Sequence, residues 1–336
     1  MFTNRMIRNL LVPVVLEQIL NSIMGTADTM MVSNVGSAAL SAVSLVDSIN
    51  VLLIQAFSAL AAGGAIVCAQ YIGQRNYEKA NMSARQVLFI ITAISVVVSA
   101  VCLIFQKPLL RLIFGAVDAD VMRASETYFF FTALSFPFIA AYDSAASIFR
   151  AQENTKGPMA ISMISNIMNI GGNAVLIWVF HLGVAGAAIS TLVSRIFCAV
   201  VVLWQLRKDR QPVVVKDYLK IRPDWSMIGR ILGLGIPSGI ENSMFQLGKL
   251  AIQSTVSTLG TAAIAAQAMT NILENLNGIA AIGVGVGLMT IVGQCLGAGR
   301  KDEAVYYIKK LCVIAEAVII VSCLIVYILV RPVTIL

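Results

Sequence analysis

Long apolar runs broken by short polar stretches dominate this chain. Runs long enough to cross a bilayer as helices lie at roughly 7–32, 40–72, 84–106, 124–149, 158–180, 184–206, 228–257, 262–296 and 304–330. The pattern predicts an all-α polytopic membrane protein with about nine transmembrane helices. Polar residues recur inside the runs at helical spacing. In "LEQILNSIMGTAD" (16–28), eleven residues turn a helix through roughly 1100°, so Glu17 and Asp28 point within about 20° of each other, with Asn21 on the same side. In "ISMISNIMNIGGN" (161–173), Ser162, Asn166, Asn169 and Asn173 fall at i, i+4, i+7 and i+11, a single polar face. Asp47 and Asn50 are three apart, as are Asn271, Glu274 and Asn277 in turn, and the seventh run carries Glu241, Asn242, Gln246 and Lys249. A charged side chain at the bilayer centre costs about 3 kcal/mol or more, so these groups should face protein or water. Asparagines alone can serve as glue between helices. Asp28 and Glu241 ask for more, since glue rarely needs a charge at depth. Lys249 sits about nine residues from the nearer helix end, which calls for a partner or a wet cavity. Asp143 and Arg195 could pair structurally.

Composition agrees with the pattern. The 336 residues are 58% hydrophobic and 12% charged, with mean hydropathy +0.86, and soluble domains carry about twice that share of charge. The net charge of +7 comes from basic loops between apolar runs, so no nucleic-acid partner is implied. About eighteen Lys and Arg lie at the N-terminus and in 74–85, 150–157, 207–225 and 298–310, against about four on the other side. The positive-inside rule then places the N-terminus and the 207–226 loop in the cytoplasm of a multi-pass cell (inner) membrane protein. The first run is too long for a signal h-region and holds a Glu. The six cysteines include no C-x-x-C and read as packing thiols. His181 is the sole histidine, and no zinc, phosphate-loop, kinase or dinucleotide motif occurs, so no enzyme and no cofactor is indicated.

The chain also repeats itself. A gapless shift of 224 places Pro13 on Pro237, Glu17 on Glu241, Gly36 on Gly260, Gly63 on Gly287, Gln70 on Gln294 and Gly73 on Gly297. It also sets Asp47 on Asn271 and Asn50 on Glu274. A six-helix unit is even-numbered, so both copies start from one membrane face and pack about an axis along the membrane normal, with a cleft between them. The expected organisation is a six-helix N-lobe at 1–206, a cytoplasmic inter-lobe loop at 207–226, and the first three helices of a C-lobe at 227–336. By this reading the chain is C-terminally truncated, with a full protein near twice the repeat length. It should transport poorly by itself.

The residues "LVPVVLEQILNSIMGTADTMMVSNVGSAALSA" (11–42), "AQYIGQRNYEKA" (69–80), "ISNIMNIGGNAVLI" (164–177), "GVAGAAISTLVS" (183–194), "LGIPSGIENSMFQLGKL" (234–250) and "VGQCLGAGRKDEA" (292–304) resemble the multidrug and toxic compound extrusion (MATE) family. The resemblance covers the whole chain. It implies two six-helix lobes and export of cationic or amphipathic drugs against inward Na⁺ or H⁺, by a protein that is a monomer when full length. It implies a cation-coupling site at Asp28, Asn169, Asn173 and Thr191, with Asp28 as a Na⁺ ligand if Na⁺ is the ion. The family's acid on the fifth helix is replaced here by Asn173, leaving one carboxylate instead of two. At the place of a helix-seven carboxylate used by some members this chain has Phe245, one turn after Glu241. Cavity or substrate contacts are expected from Glu17, Asn21, Asn166, Glu241, Lys249 and Glu274, with Glu17 facing water nearer the cytoplasm. Two other readings stand beside this one. A lipid-linked saccharide flippase would want a cationic cavity, whereas the charges at depth are mostly acidic. A non-transporting fragment or partner subunit would explain the short second repeat.

Overall fold

The computed structural model describes residues 2–114, 118–208, 211–216, 218, 222–257 and 261–335. Among them there is helix and no strand, in the order α1 (Asn4–Ser33), α2 (Ser37–Gly73), α3 (Tyr77–Ile104), α4 (Gln106–Phe114), α5 (Ala119–Leu134), α6 (Phe136–Ala151), α7 (Lys156–Ala174) with a π-helical turn (Val175–Val179), α8 (Gly183–Leu206), α9 (Trp225–Ser257), α10 (Thr261–Gly297) and α11 (Lys301–Ile335). Helix starts are set by local chemistry. Thr3 Oγ1 accepts from Met6 N at 3.3 Å to cap α1, and Asn76 Oδ1 accepts from Lys79 N at 3.1 Å to cap α3. The fourth expected span is two helices, α5 and α6, bent by 42°. Pro137 stands in the first turn of α6, where its missing N–H cannot continue the α5 ladder.

Six of the helices are long and apolar enough to cross a membrane, and α5 with α6 makes a seventh if the bent pair is one span. The expectation of nine is therefore met by these criteria only in part. The helices α9 and α11 occupy the places of the seventh and ninth apolar runs, and α9 carries Arg230, Glu241 and Lys249 along its length. Between membrane helices, apolar surface gives little drive to associate, so small residues and close contact do the packing. A Cβ on Gly63 would stand 2.6 Å from Gly235 N, and one on Gly64 would meet Val87 at 2.3 Å. The largest core cluster gathers Phe129, Phe136, Ile91 and Ile148 around α2. A smaller one joins Phe2 and Ile7 to Ile291 of α10 and to Tyr307 and Leu311 of α11. All six cysteines are free.

The sequence repeat reappears as paired contacts. The helix α2 packs on α9, and α10 packs on α1. A Cβ on Gly63 runs into Gly235, and one on Gly287 runs into Leu11 at 2.3 Å, where 235 and 11 are the same repeat position. The ends of α2 and α10 cross in the same reciprocal way. Gly73 abuts the Gln294 carbonyl at 2.1 Å from a built Cβ, and Gly297 abuts the Gln70 carbonyl at 2.0 Å. The turns that follow share one geometry, with Arg75 at φ 58° and Gly299 at φ 74°. From α10, Thr290 Oγ1 donates to Arg150 O at 3.1 Å and Gln294 Nε2 to Ala151 O at 2.9 Å. These bonds tie α10 to carbonyls in the last turn of α6. The molecule is thus closed at the end that carries the basic loops.

The described part of the 207–226 connection is docked, not loose. Val213 and Val215 are buried, Val214 N donates to Asn81 Oδ1 at 2.7 Å, and Gln86 bonds both Arg222 O at 2.7 Å and Asp224 N at 3.1 Å.

Candidate functional site

Two polar places emerge from this packing. The first lies inside the bundle, where α1 faces α7 and α8. Asp28 is half-buried, and its Oδ1 accepts from Asn173 Nδ2 at 2.7 Å. The Asn169 amide is assigned with its nitrogen toward Asp28, 2.9 Å and 3.2 Å from the two carboxylate oxygens. Its oxygen then accepts from Thr191 Oγ1 and N, each at 3.3 Å. Ser190 Oγ donates to Asn169 O at 2.8 Å and fits because Gly172 has no side chain to meet it. The four residues expected at the coupling site are therefore in one place. Asn173 is 1% exposed and its Oδ1 has no partner, an acceptor left open beside the carboxylate. Oxygen donors of this kind suit a hard cation such as Na⁺. No group of three or more His, Cys, Asp or Glu able to hold a metal occurs among the described residues.

The polar face of α7 continues toward the basic end. Asn21 Oδ1 accepts from Ser162 Oγ at 3.1 Å and from Asn166 Nδ2 at 2.9 Å, so Asn21 and Asn166 bond each other. Glu17 departs from expectation. It is 2% exposed, with Arg150 Nη2 at 3.1 Å from both carboxylate oxygens and Tyr142 Oη at 3.2 Å. The water-facing position is corrected to a buried ion pair, because the end of α6 brings a guanidinium to the carboxylate and spares it the cost of burial alone. Among the described residues Arg195 forms no ion pair with Asp143. Its Nη1 donates to Ser135 Oγ at 2.6 Å, at the α5–α6 bend.

The second place is a cavity of about 1150 Å³ between α1 and α2 on one side and α9 and α10 on the other. Its polar lining includes Asp47, Gln55, Gln246, Lys249 and Glu274, with Phe245 as an aromatic wall. Lys249 and Glu274 are brought together, Nζ to Oε1 at 2.9 Å, and Lys249 Nζ stands 5.1 Å from the Phe245 ring centre. Both side chains line the cavity, 38% and 49% exposed, and each meets its counter-charge, which lowers the cost of a cation and an anion at this depth. Of the other residues expected to touch substrate, Glu17, Asn21, Asn166 and Glu241 do not line this cavity, and Glu241 is exposed on α9. The side chain of Asn271 lies outside the described residues. Asp47, not among the expected site residues, also lines this cavity. Its signal in the sequence is the single carboxylate of the 40–72 run, three residues from an amide.

Comparison with known proteins follows the same lines. The family model described as MatE matches residues 13–175 and 237–336. The probable multidrug resistance protein YoeA of Bacillus subtilis is 27% identical over 302 residues, covering 87% of this chain and 64% of that protein. The probable multidrug resistance protein NorM of Thermotoga maritima is 24% identical over 308 residues, covering 90% and 65%. The chain thus spans just under two thirds of the length of these relatives. A solved outward-facing multidrug resistance MATE family transporter of the MOP superfamily superposes with a TM-score of 0.89 at 19% identity, over 96% of this chain and 71% of that one. The fold is shared.

Proposed function

The chain belongs to the MatE family, a family of multi-pass membrane transporters and not of enzymes, and from that premise we propose a cation-coupled drug antiporter. It exports cationic or amphipathic compounds by alternating access, driven by inward Na⁺ or H⁺, and needs no cofactor. The chain crosses the cell (inner) membrane nine times with its N-terminus in the cytoplasm. Residues 1–206 form one lobe, 207–226 the connection, and 227–336 three helices of the second lobe, in a protein that works as a monomer. What carries the reading is Asp28, a half-buried carboxylate within hydrogen-bond reach of the Asn169 and Asn173 amides on α7.

The mechanism is linkage. A cation or proton on Asp28 changes the charge that α1 presents to α7 and α8, and so the relative stability of two packings of the lobes. A drug in the inter-lobe cavity, with Lys249 and Glu274 on its wall, favours the opposite packing, and each ligand changes the affinity for the other by the same factor. With the basic end closed, the cavity opens on the opposite face, which the charge of the loops makes external. The flippase alternative is less favoured, since the one cavity lysine is already neutralised by Glu274 at 2.9 Å.

The test is ethidium efflux from cells expressing the protein at the full length of its relatives, driven separately by a pH step and by a Na⁺ gradient. Asp28→Asn keeps the side chain's size and removes its charge, so it should abolish gradient-driven efflux while membrane insertion is kept. Wild-type rates under both gradients would place the coupling elsewhere.

A further inference from the structure

The cavity carries a carboxylate that this scheme does not use. Asp47 lies on the α2 wall, and its Oδ1 accepts from Asn50 Nδ2 at 3.2 Å and from Tyr128 Oη at 3.3 Å. Asn50 is 3% exposed, and its Oδ1 has no hydrogen-bond partner. The nitrogen of that planar amide is on the carboxylate, so the open oxygen stands beside it. Turning the amide over would only set its oxygen against the carboxylate. A buried acceptor in this position asks for a donor or a cation.

The charges point the same way. Among the described residues Asp47 forms no salt bridge, so its carboxylate has no cationic side chain in direct contact. Carboxylate, amide and phenol oxygens are hard donors, the kind a hard cation selects.

We propose that Asp47 on the cavity wall, with Asn50 and Tyr128 buried against it, forms a Na⁺ site at which Na⁺ and an organic cation in the cavity compete for the Asp47 carboxylate. This rests on the reading of the cavity as the drug cleft and adds the residue at which ion and drug exclude one another. Exchange then needs no long-range signal at this step, because one carboxylate serves either cation. Tyr128 and Asn50, both buried, brace that carboxylate through its Oδ1.

The test is equilibrium binding of radiolabelled Na⁺ and of tetraphenylphosphonium to the purified 336-residue chain in nanodiscs. In the wild-type chain each should displace the other. Asp47→Asn should weaken tetraphenylphosphonium by about tenfold and remove the direct part of its competition with Na⁺, leaving only the linkage through Asp28. Asp47→Glu should restore both. Asn50→Ala should weaken Na⁺ by about tenfold more than it weakens tetraphenylphosphonium, since only the ion needs the amide oxygen. If Asp47→Asn fails to give a monodisperse protein, the Asp47→Glu and Asn50→Ala pair decides. Competition unchanged in Asp47→Asn, Na⁺ affinity unchanged in Asn50→Ala, or a wild-type chain that binds no Na⁺ would each overturn the proposal. Failure of the Asp28→Asn efflux test would remove the coupling role of Asp28 and leave this competition standing.

Discussion

At the scale of single residues, three carboxylates inside apolar runs have three different surroundings. Glu17 is shut in with Arg150 and Tyr142, Asp28 is held by amides, and Asp47 looks into the cavity. Their consequences should differ accordingly. Glu17→Ala leaves the Arg150 guanidinium, 19% exposed, without its anion, and removal of one partner of a buried pair costs about 3–5 kcal/mol. A large fall in the thermal unfolding midpoint in detergent is expected, and an unchanged midpoint would show that water replaces the carboxylate. Asn169→Ala removes a neutral hydrogen-bond donor from Asp28 and keeps the charge. Its gradient-driven ethidium efflux should fall, but by less than that of Asp28→Asn, and an equal loss would mean that Asn169 is itself a required ligand.

At the scale of elements, the crossing of α2 and α10 closes the basic end, and glycine makes it possible. A methyl group on Gly297 would sit 2.0 Å from the Gln70 carbonyl oxygen, a contact backbone cannot yield without the helices parting. Gly297→Ala should therefore open this end. Cys295, 0% exposed behind the crossing, reports it. Its labelling by a membrane-impermeant maleimide from the cytoplasmic side, read by peptide mass spectrometry, should rise in the variant. Labelling as low as in wild type would show that the crossing absorbs the methyl group.

At the scale of the whole molecule, orientation decides which face the cavity opens to. The turn at Gly183 lies opposite the basic loops, so a cysteine at Leu182 should react with impermeant reagent from outside and one at Pro212 should not. The reverse pattern would invert the protein and make the open cavity cytoplasmic. The reciprocal contacts of Gly63 with Gly235 and of Gly287 with Leu11 say how two copies of one unit meet: the second helix of each packs on the first helix of the other. That swap leaves the cavity between four helices, two from each copy.

Much of this was legible in the chain. Apolar run length set the helices, because backbone polar groups in lipid must be satisfied within the segment. The repeat showed itself because the same packing problem was solved twice with the same glycines and glutamines. Helical spacing placed Ser162, Asn166, Asn169 and Asn173 on one face, since rotation per residue is a local property. Partners across helices were not legible. Nothing in the spacing of Glu17 says that Arg150, 133 residues on, would reach it, or that Lys249 and Glu274 would meet. The break at Ser135 and the docking of Val213 and Val215 depend on neighbours supplied by other helices. Which carboxylate is buried, which is braced and which faces the cavity was decided only by tertiary structure, because a side chain's surroundings are set by the helices packed against it and not by its own.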